Sequence, residues 1–190
     1  MTTASGAGRA LVLLRHAKSA WPDVPDHERP LAPRGRRDAA AMGRWLRAVG
    51  YIPDQVACST ARRARQTWQL AQRGLGAAPA VVFDNFVYEA SAGQLLGLIR
   101  HTPVATGTLL IVGHDPALPE LARTLAAAAP GRAGTGNDAA RTAMLDRIRA
   151  KFPTAGIAIF ECAGDWAQLA PERVRLVCFV TPRELRPPAA

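Results

Sequence analysis

The apolar run Leu11-Val-Leu-Leu14 stops abruptly at Arg15-His16, and a second run inside Thr108-Leu-Leu-Ile-Val-Gly113 stops at His114. Runs this short suit strands rather than helices. Strands that are apolar at successive positions belong inside a sheet covered on both faces. Further strand-length segments are expected at Gln55–Ala57, Val81–Phe83, Ile157–Glu161 and Arg175–Val180, in addition to Leu11–Leu14 and Leu109–Val112. Between them lie segments with helical punctuation. Arg34–Val49 follows Pro33 and precedes Gly50, Arg62–Arg73 precedes Gly74, Ser91–Arg100 opens on a serine suited to an N-cap, and Pro116–Ala128 opens on a proline. Arg141–Ala150 reads as a further helix, after a loop over Ala126–Asp138. Strands alternating with helices define the α/β class: a mostly parallel sheet with helices on both faces, a three-layer sandwich.

At 190 residues one domain suffices, burying roughly 70% of its unfolded surface without disulfides. The expected domain spans residues 9–186, with flexible tails at 1–8 and 187–190. No apolar stretch reaches membrane-spanning length and the first residues lack a secretion signal, so a cytoplasmic location is expected, away from membranes. Cys58, Cys162 and Cys178 lack metal-ligand spacing and read as buried small hydrophobes. The net charge of +9 invites a nucleic-acid reading. Yet 22 of the 24 basic residues are arginine, they are scattered, and no nucleic-acid module accompanies them, so no nucleic-acid partner is expected. Nothing in the chain indicates an oligomeric state.

Two strand-end histidines and the arginine-rich string Ser59-Thr-Ala-Arg62-Arg63-Ala-Arg65-Gln66-Thr67 point to a phosphate site. Phosphoryl transfer needs cations around the equatorial oxygens and a nucleophile in line with the leaving group. A neutral imidazole meets the second need without a base, because one ring nitrogen already holds a lone pair. Arg62, Arg63 and Arg65 cannot all face the same oxygens, since a helix turns about 100° per residue.

The three strings resemble the histidine phosphatase superfamily, the phosphoglycerate mutase-like fold, and within it the short SixA-type phosphohistidine phosphatases. The resemblance runs over nearly the whole chain. It implies that His16 is the nucleophile, that Arg15 and Arg63 clamp the phosphoryl group, and that His114 holds its oxygens. Ser19 and Arg29, in segments similar to those of SixA-like chains, are implied as substrate-side residues, Arg29 at the rim; Gly35 and Leu31 are expected to be structural. Ala17 departs from the glycine usual after the nucleophile, and Pro22 from the asparagine of mutase-like members. The general acid is open between Glu89, Asp115 and none. His27 and His101 fit no motif and are expected to be exposed bystanders. The resemblance further implies a metal-independent phosphatase without cofactor, acting on a phosphohistidine-bearing protein. Two alternatives stand beside it: a small phosphomonoester as substrate, and a non-catalytic phospho-ligand module.

Overall fold

The computed structural model describes residues 8–127 and 138–185. The expected tails at 1–8 and 187–190 lie outside them except for Gly8. The expected loop at Ala126–Asp138 is helical at its two ends, and 128–137 lies outside the described residues.

Six strands form one sheet in the order β3-β2-β4-β1-β5-β6: β1 (Arg9–Arg15), β2 (Gln55–Ser59), β3 (Ala80–Asp84), β4 (Thr108–Gly113), β5 (Ile157–Cys162) and β6 (Val174–Val180). The first four are mutually parallel through the pairs β1–β4, β4–β2 and β2–β3, while β5 runs antiparallel to both β1 and β6. α1 (Pro33–Val49), α2 (Arg62–Leu75), the single turn α3 (Phe86–Glu89) and α4 (Ala92–Arg100) fill the crossovers, followed by α5 (Ala117–Ala127) and α6 (Asp138–Ala150).

β1 shows why its sequence is continuously apolar. Successive side chains point to opposite faces. Leu11 and Leu13 join the core under α4, α5 and α6, with Leu95, Ile99, Leu121 and Phe160. Val12 and Leu14 join the core under α1 and α2, with Met42, Leu46 and Trp68. Both faces are therefore covered, the three-layer α/β arrangement expected. Helix starts agree with expectation at one position and differ at another. Ser91 caps α4 in a reciprocal capping box with Gln94, whereas α5 starts at Ala117, one residue after Pro116.

Two glycines in α1 set how closely its neighbours approach. A Cβ on Gly43 would overlap the carbonyl of Ala71, so α1 and α2 cross almost backbone to backbone. One on Gly35 would overlap the carbonyl of Lys18, which seats the start of α1 against the loop after β1.

Candidate active site

The parallel pairing of β1 with β4 places Arg15 opposite Gly113, and the His16 N–H continues the ladder to the Gly113 carbonyl at 3.0 Å. Two residues nearly a hundred positions apart are thereby delivered to one edge, at the carboxyl ends of the strands. The His16 and His114 rings lie with centroids 5.0 Å apart.

His16 is 8% exposed. Its Nδ1 stands 2.8 Å from the Ala17 carbonyl. A carbonyl only accepts, so Nδ1 carries the hydrogen and the neutral ring keeps its lone pair on Nε2. Burial, helped by the charges of Arg63, Arg15 and Arg29, pushes the pKa down to about 3, so the ring is neutral at physiological pH. His114 is held likewise at about 3, by burial first and then by His16 and Arg63. Its Nε2 is 2.7 Å from Ser59 Oγ, which itself accepts from the Ala61 N–H. A hydroxyl that accepts once can still donate its proton, and in the tautomer where Ser59 donates to Nε2 the His114 hydrogen sits on Nδ1. That Nδ1 is buried without a protein partner among the described residues, and so is Arg15 Nε. A phosphoryl oxygen is the acceptor both would suit. The other two Arg15 nitrogens are fixed, Nη1 on the Phe152 carbonyl at 2.6 Å and Nη2 on Asp115 Oδ2 at 3.0 Å.

α2 brings the second cation. Arg63 is 7% exposed, while Arg62 and Arg65 face solvent. Its neighbours in the motif are fasteners: Thr67 Oγ1 accepts from the Ala17 N–H at 2.9 Å and donates to the Arg63 carbonyl at 2.6 Å, and Gln66 Oε1 accepts from the Leu31 N–H at 2.8 Å. Arg63 donates from Nη1 to the Asp26 carbonyl and from Nη2 to Asp26 Oδ2. Asp26 also accepts from Arg29 Nη1 at 2.8 Å and from the Tyr88 hydroxyl at 2.8 Å. Burial raises the Asp26 carboxyl, but these bonds outweigh it and hold the group well below the usual carboxylate range.

Several expectations are corrected here. Arg29 is no rim residue: it is 6% exposed, tied to the Ala20 carbonyl, Asp26 and Ser19 Oγ, and stacked on the Trp21 ring. Ser19 is correspondingly buried and accepts from Arg29. His27 is no bystander, since its Nε2 is 3.0 Å from Thr60 Oγ1 and its ring meets Tyr88 edge-on. Glu89 is exposed at the end of α3 and makes no hydrogen bond or ion pair among the described residues. Its neighbour Tyr88 is the one that borders the site, edge-on to His114 at 5.3 Å. Asp26, Ser59, Thr67 and Tyr88 do not stand out in the sequence as site residues. For Thr67 and Ser59 a signal is present, because both lie inside the string that contains Arg63.

Among the described residues no group of three or more His, Cys, Asp or Glu side chains is arranged to hold a metal. The site's positive charge is arginine. Cys58 and Cys162 are buried, and burial pushes the Cys162 thiol up to about 12, which leaves it inert. No helix among the described residues is long and apolar enough to cross a membrane.

Fold and site define a phosphoryl-handling α/β protein, and the sequence matches the Histidine phosphatase superfamily (branch 1) over residues 11–106, so the chain belongs to that family. An uncharacterised protein of Mycobacterium tuberculosis is 46% identical over 171 residues, which is 90% of this chain and 100% of that one. Among solved structures, a chain of Nakamurella multipartitia assigned as a phosphohistidine phosphatase SixA superposes with TM-score 0.76 at 32% identity, covering 93% of this chain and 98% of that one. A chain from Agrobacterium tumefaciens with the same assignment gives TM-score 0.70 at 28% identity, covering 92% and 99%. These matches support phosphatase activity.

Proposed function

We propose that the protein removes phosphoryl groups from phosphohistidine side chains of proteins by way of a covalent intermediate on His16. The observation that carries this reading is the His16 ring: buried, neutral, with Nδ1 occupied by the Ala17 carbonyl and the lone pair left on Nε2. In the first step Nε2 attacks phosphorus, the P–N bond to the substrate imidazole breaks, and the leaving ring takes a proton from solvent. In the second, water attacks the phosphorus, the P–Nε2 bond breaks, and inorganic phosphate departs with His16 restored. Arg15, through its unpartnered Nε, Arg63, through the N–H groups that Asp26 leaves over, and the His114 Nδ1–H stabilise the charge on the equatorial oxygens. With the cations supplied by arginine, turnover is expected to need no metal.

The carboxylates bonded at the site support this substrate class. Asp26 is tied to Arg29 and Arg63, which hold its carboxyl well below the usual carboxylate range, and Asp115 is paired with Arg15. An alkoxide leaves well only when an acid protonates it, whereas a phosphorylated imidazole takes its proton from water. Access supports a macromolecular substrate, since the loop beside the site carries Trp21 at 78% exposure and an exposed Val24. Rapid-quench labelling tests the proposal. The wild type should give an acid-labile, base-stable phosphoenzyme from a phosphohistidine protein, unaffected by EDTA, and His16→Ala should give none. A chain that turns over sugar phosphates or nucleotides faster than phosphohistidine would instead be a small-molecule phosphomonoesterase.

A further inference from the structure

Scattered as the arginines read along the sequence, the positive charge is concentrated in the fold on two adjacent helices. α1 and α2 together hold nine arginines and a single acidic residue, Asp38, a balance of +8, while the remaining 15 basic and 14 acidic residues leave +1 of the total of +9. A compositional preference for arginine would raise its number everywhere and does not explain this division. Asp38 is buried beside Arg34. Arg36, Arg37, Arg44 and Arg47 on α1 are exposed, as are Arg62, Arg65 and Arg73 on α2. Asp38 apart, no described carboxylate forms an ion pair with any of them.

The two helices present one surface. They are joined at Gly43 against Ala71 and at Gly74 against Ala40, and both pack on the same side of the sheet. The 17 residues of α1 make this face about 25 Å long. It runs into the active site, for Arg62 and Arg65 flank Arg63, and their charges act on Glu28, two residues from Asp26. A phosphoryl donor seated at His16 therefore lies at the end of a face rich in exposed guanidinium groups.

We propose that the outer face of α1 and α2 docks an acidic protein surface, that of the phosphoprotein whose phosphoryl group enters the site; this rests on the function proposed above. A small substrate has no use for a face this long. Single-stranded nucleic acid is recognised by aromatic side chains that stack on bases, but the two aromatics of these helices, Trp45 and Trp68, pack against the core. Guanidinium forks pair with carboxylates as with phosphates; with no stacking aromatics beside them, the carboxylates of a protein partner are the fit, and such complementarity steers association and fixes orientation.

Docking can be read without turnover, by fluorescence anisotropy with a labelled glutamate-rich peptide of about 20 residues lacking phosphate. Binding is expected to weaken steeply from about 50 mM to about 300 mM salt. It should be about tenfold weaker in Arg36→Gln/Arg37→Gln/Arg44→Gln/Arg73→Gln. When the peptide bears one chemically phosphorylated histidine, the quadruple variant should raise KM about tenfold with kcat unchanged, and turnover of free phosphohistidine, which reports the fold, should stay at the wild-type value. Equal affinity of wild type and variant for the peptide overturns the proposal. So does a DNA strand of similar charge that binds more tightly than the peptide and is lost in the same variant. Peptide binding without turnover of any phosphohistidine would leave docking standing and remove the substrate reading instead.

Discussion

Asp26 takes both terminal nitrogens of Arg63, one on its backbone carbonyl at 2.6 Å and the other on its carboxylate at 2.9 Å. The bond to the carbonyl survives any substitution of the side chain. Asp26→Asn should therefore keep Arg63 near its place while removing the charge that fixes the guanidinium plane. Turnover of phosphohistidine is expected to fall about tenfold, with kcat changing more than KM, since orientation matters most as charge develops. A variant as active as the wild type would show that Asp26 merely neutralises the arginines.

Arg63→Lys removes the fork itself. One ammonium cannot bind Asp26 and a phosphoryl group in the same geometry, so a loss on the order of 10²-fold in kcat is expected. Arg62→Lys and Arg65→Lys, at exposed positions, should change turnover of free phosphohistidine by less than about twofold. A larger loss at Arg62 than at Arg63 would reassign the clamp.

Acid should weaken the fold through the two site histidines. Burial holds both rings near a pKa of about 3, against 6.5 in the unfolded chain. Between these values the unfolded state binds more protons, so stability is full above pH 6.5 and is lost as pH falls toward 3. The slope is on the order of 1 kcal/mol per pH unit for each ring. Asp26, whose carboxyl is depressed, adds a loss of its own only once pH falls into the ordinary carboxylate range and below. Melting measured from about pH 6.5 down to about 5.5, above the range in which the depressed carboxylates titrate, isolates the histidines. His16→Asn/His114→Asn should lose distinctly less Tm over that span than the wild type.

Packing at the helix crossing makes a contrast between two glycines. Gly43→Ala must push α2 away from α1, at a cost of about 1–3 kcal/mol and a clear drop in Tm. Gly97 in α4 has nothing within 4 Å of an added Cβ. Gly97→Ala should raise stability by about 0.5–1 kcal/mol. Equal effects at the two sites would show that helix propensity, not the close crossing, governs Gly43.

Glu89 offers a test of the leaving-group chemistry. Exposed and unbonded at the end of α3, it is not oriented toward the site by any described residue. Glu89→Gln is expected to change phosphohistidine turnover by less than about threefold, and slow alkyl phosphomonoester hydrolysis should be just as insensitive. A selective loss of about 10²-fold on the alkyl ester alone would make Glu89 its proton donor.

The parts of the site that stand on regular elements are legible in the sequence. Arg15, His16 and His114 end strands whose apolar runs announce both their length and their burial, and parallel pairing then brings the ends together. Arg29, Asp26 and His27 belong to an irregular segment, punctuated by Pro22, Pro25 and Pro30, that follows neither a two-residue nor a helical period. With no period to set an inward face, a charged residue there reads as solvated. Arg29 is buried because Asp26, Ser19 and the Ala20 carbonyl take its nitrogens, partners that only the folded loop assembles. Tyr88 is hidden for a related reason: it sits in a single helical turn, too short to show a periodic pattern.

One oxygen atom acts as a spacer in this protein. Thr67 Oγ1 accepts from the backbone just beyond His16 and donates to the backbone of Arg63, so the loop after β1 and the first turns of α2 share a common anchor. The backbones that carry the proposed nucleophile and its cation are thus joined through one hydroxyl, and Asp26 then fixes the guanidinium itself. A shift of the loop after β1 is thereby passed on to the first turns of α2.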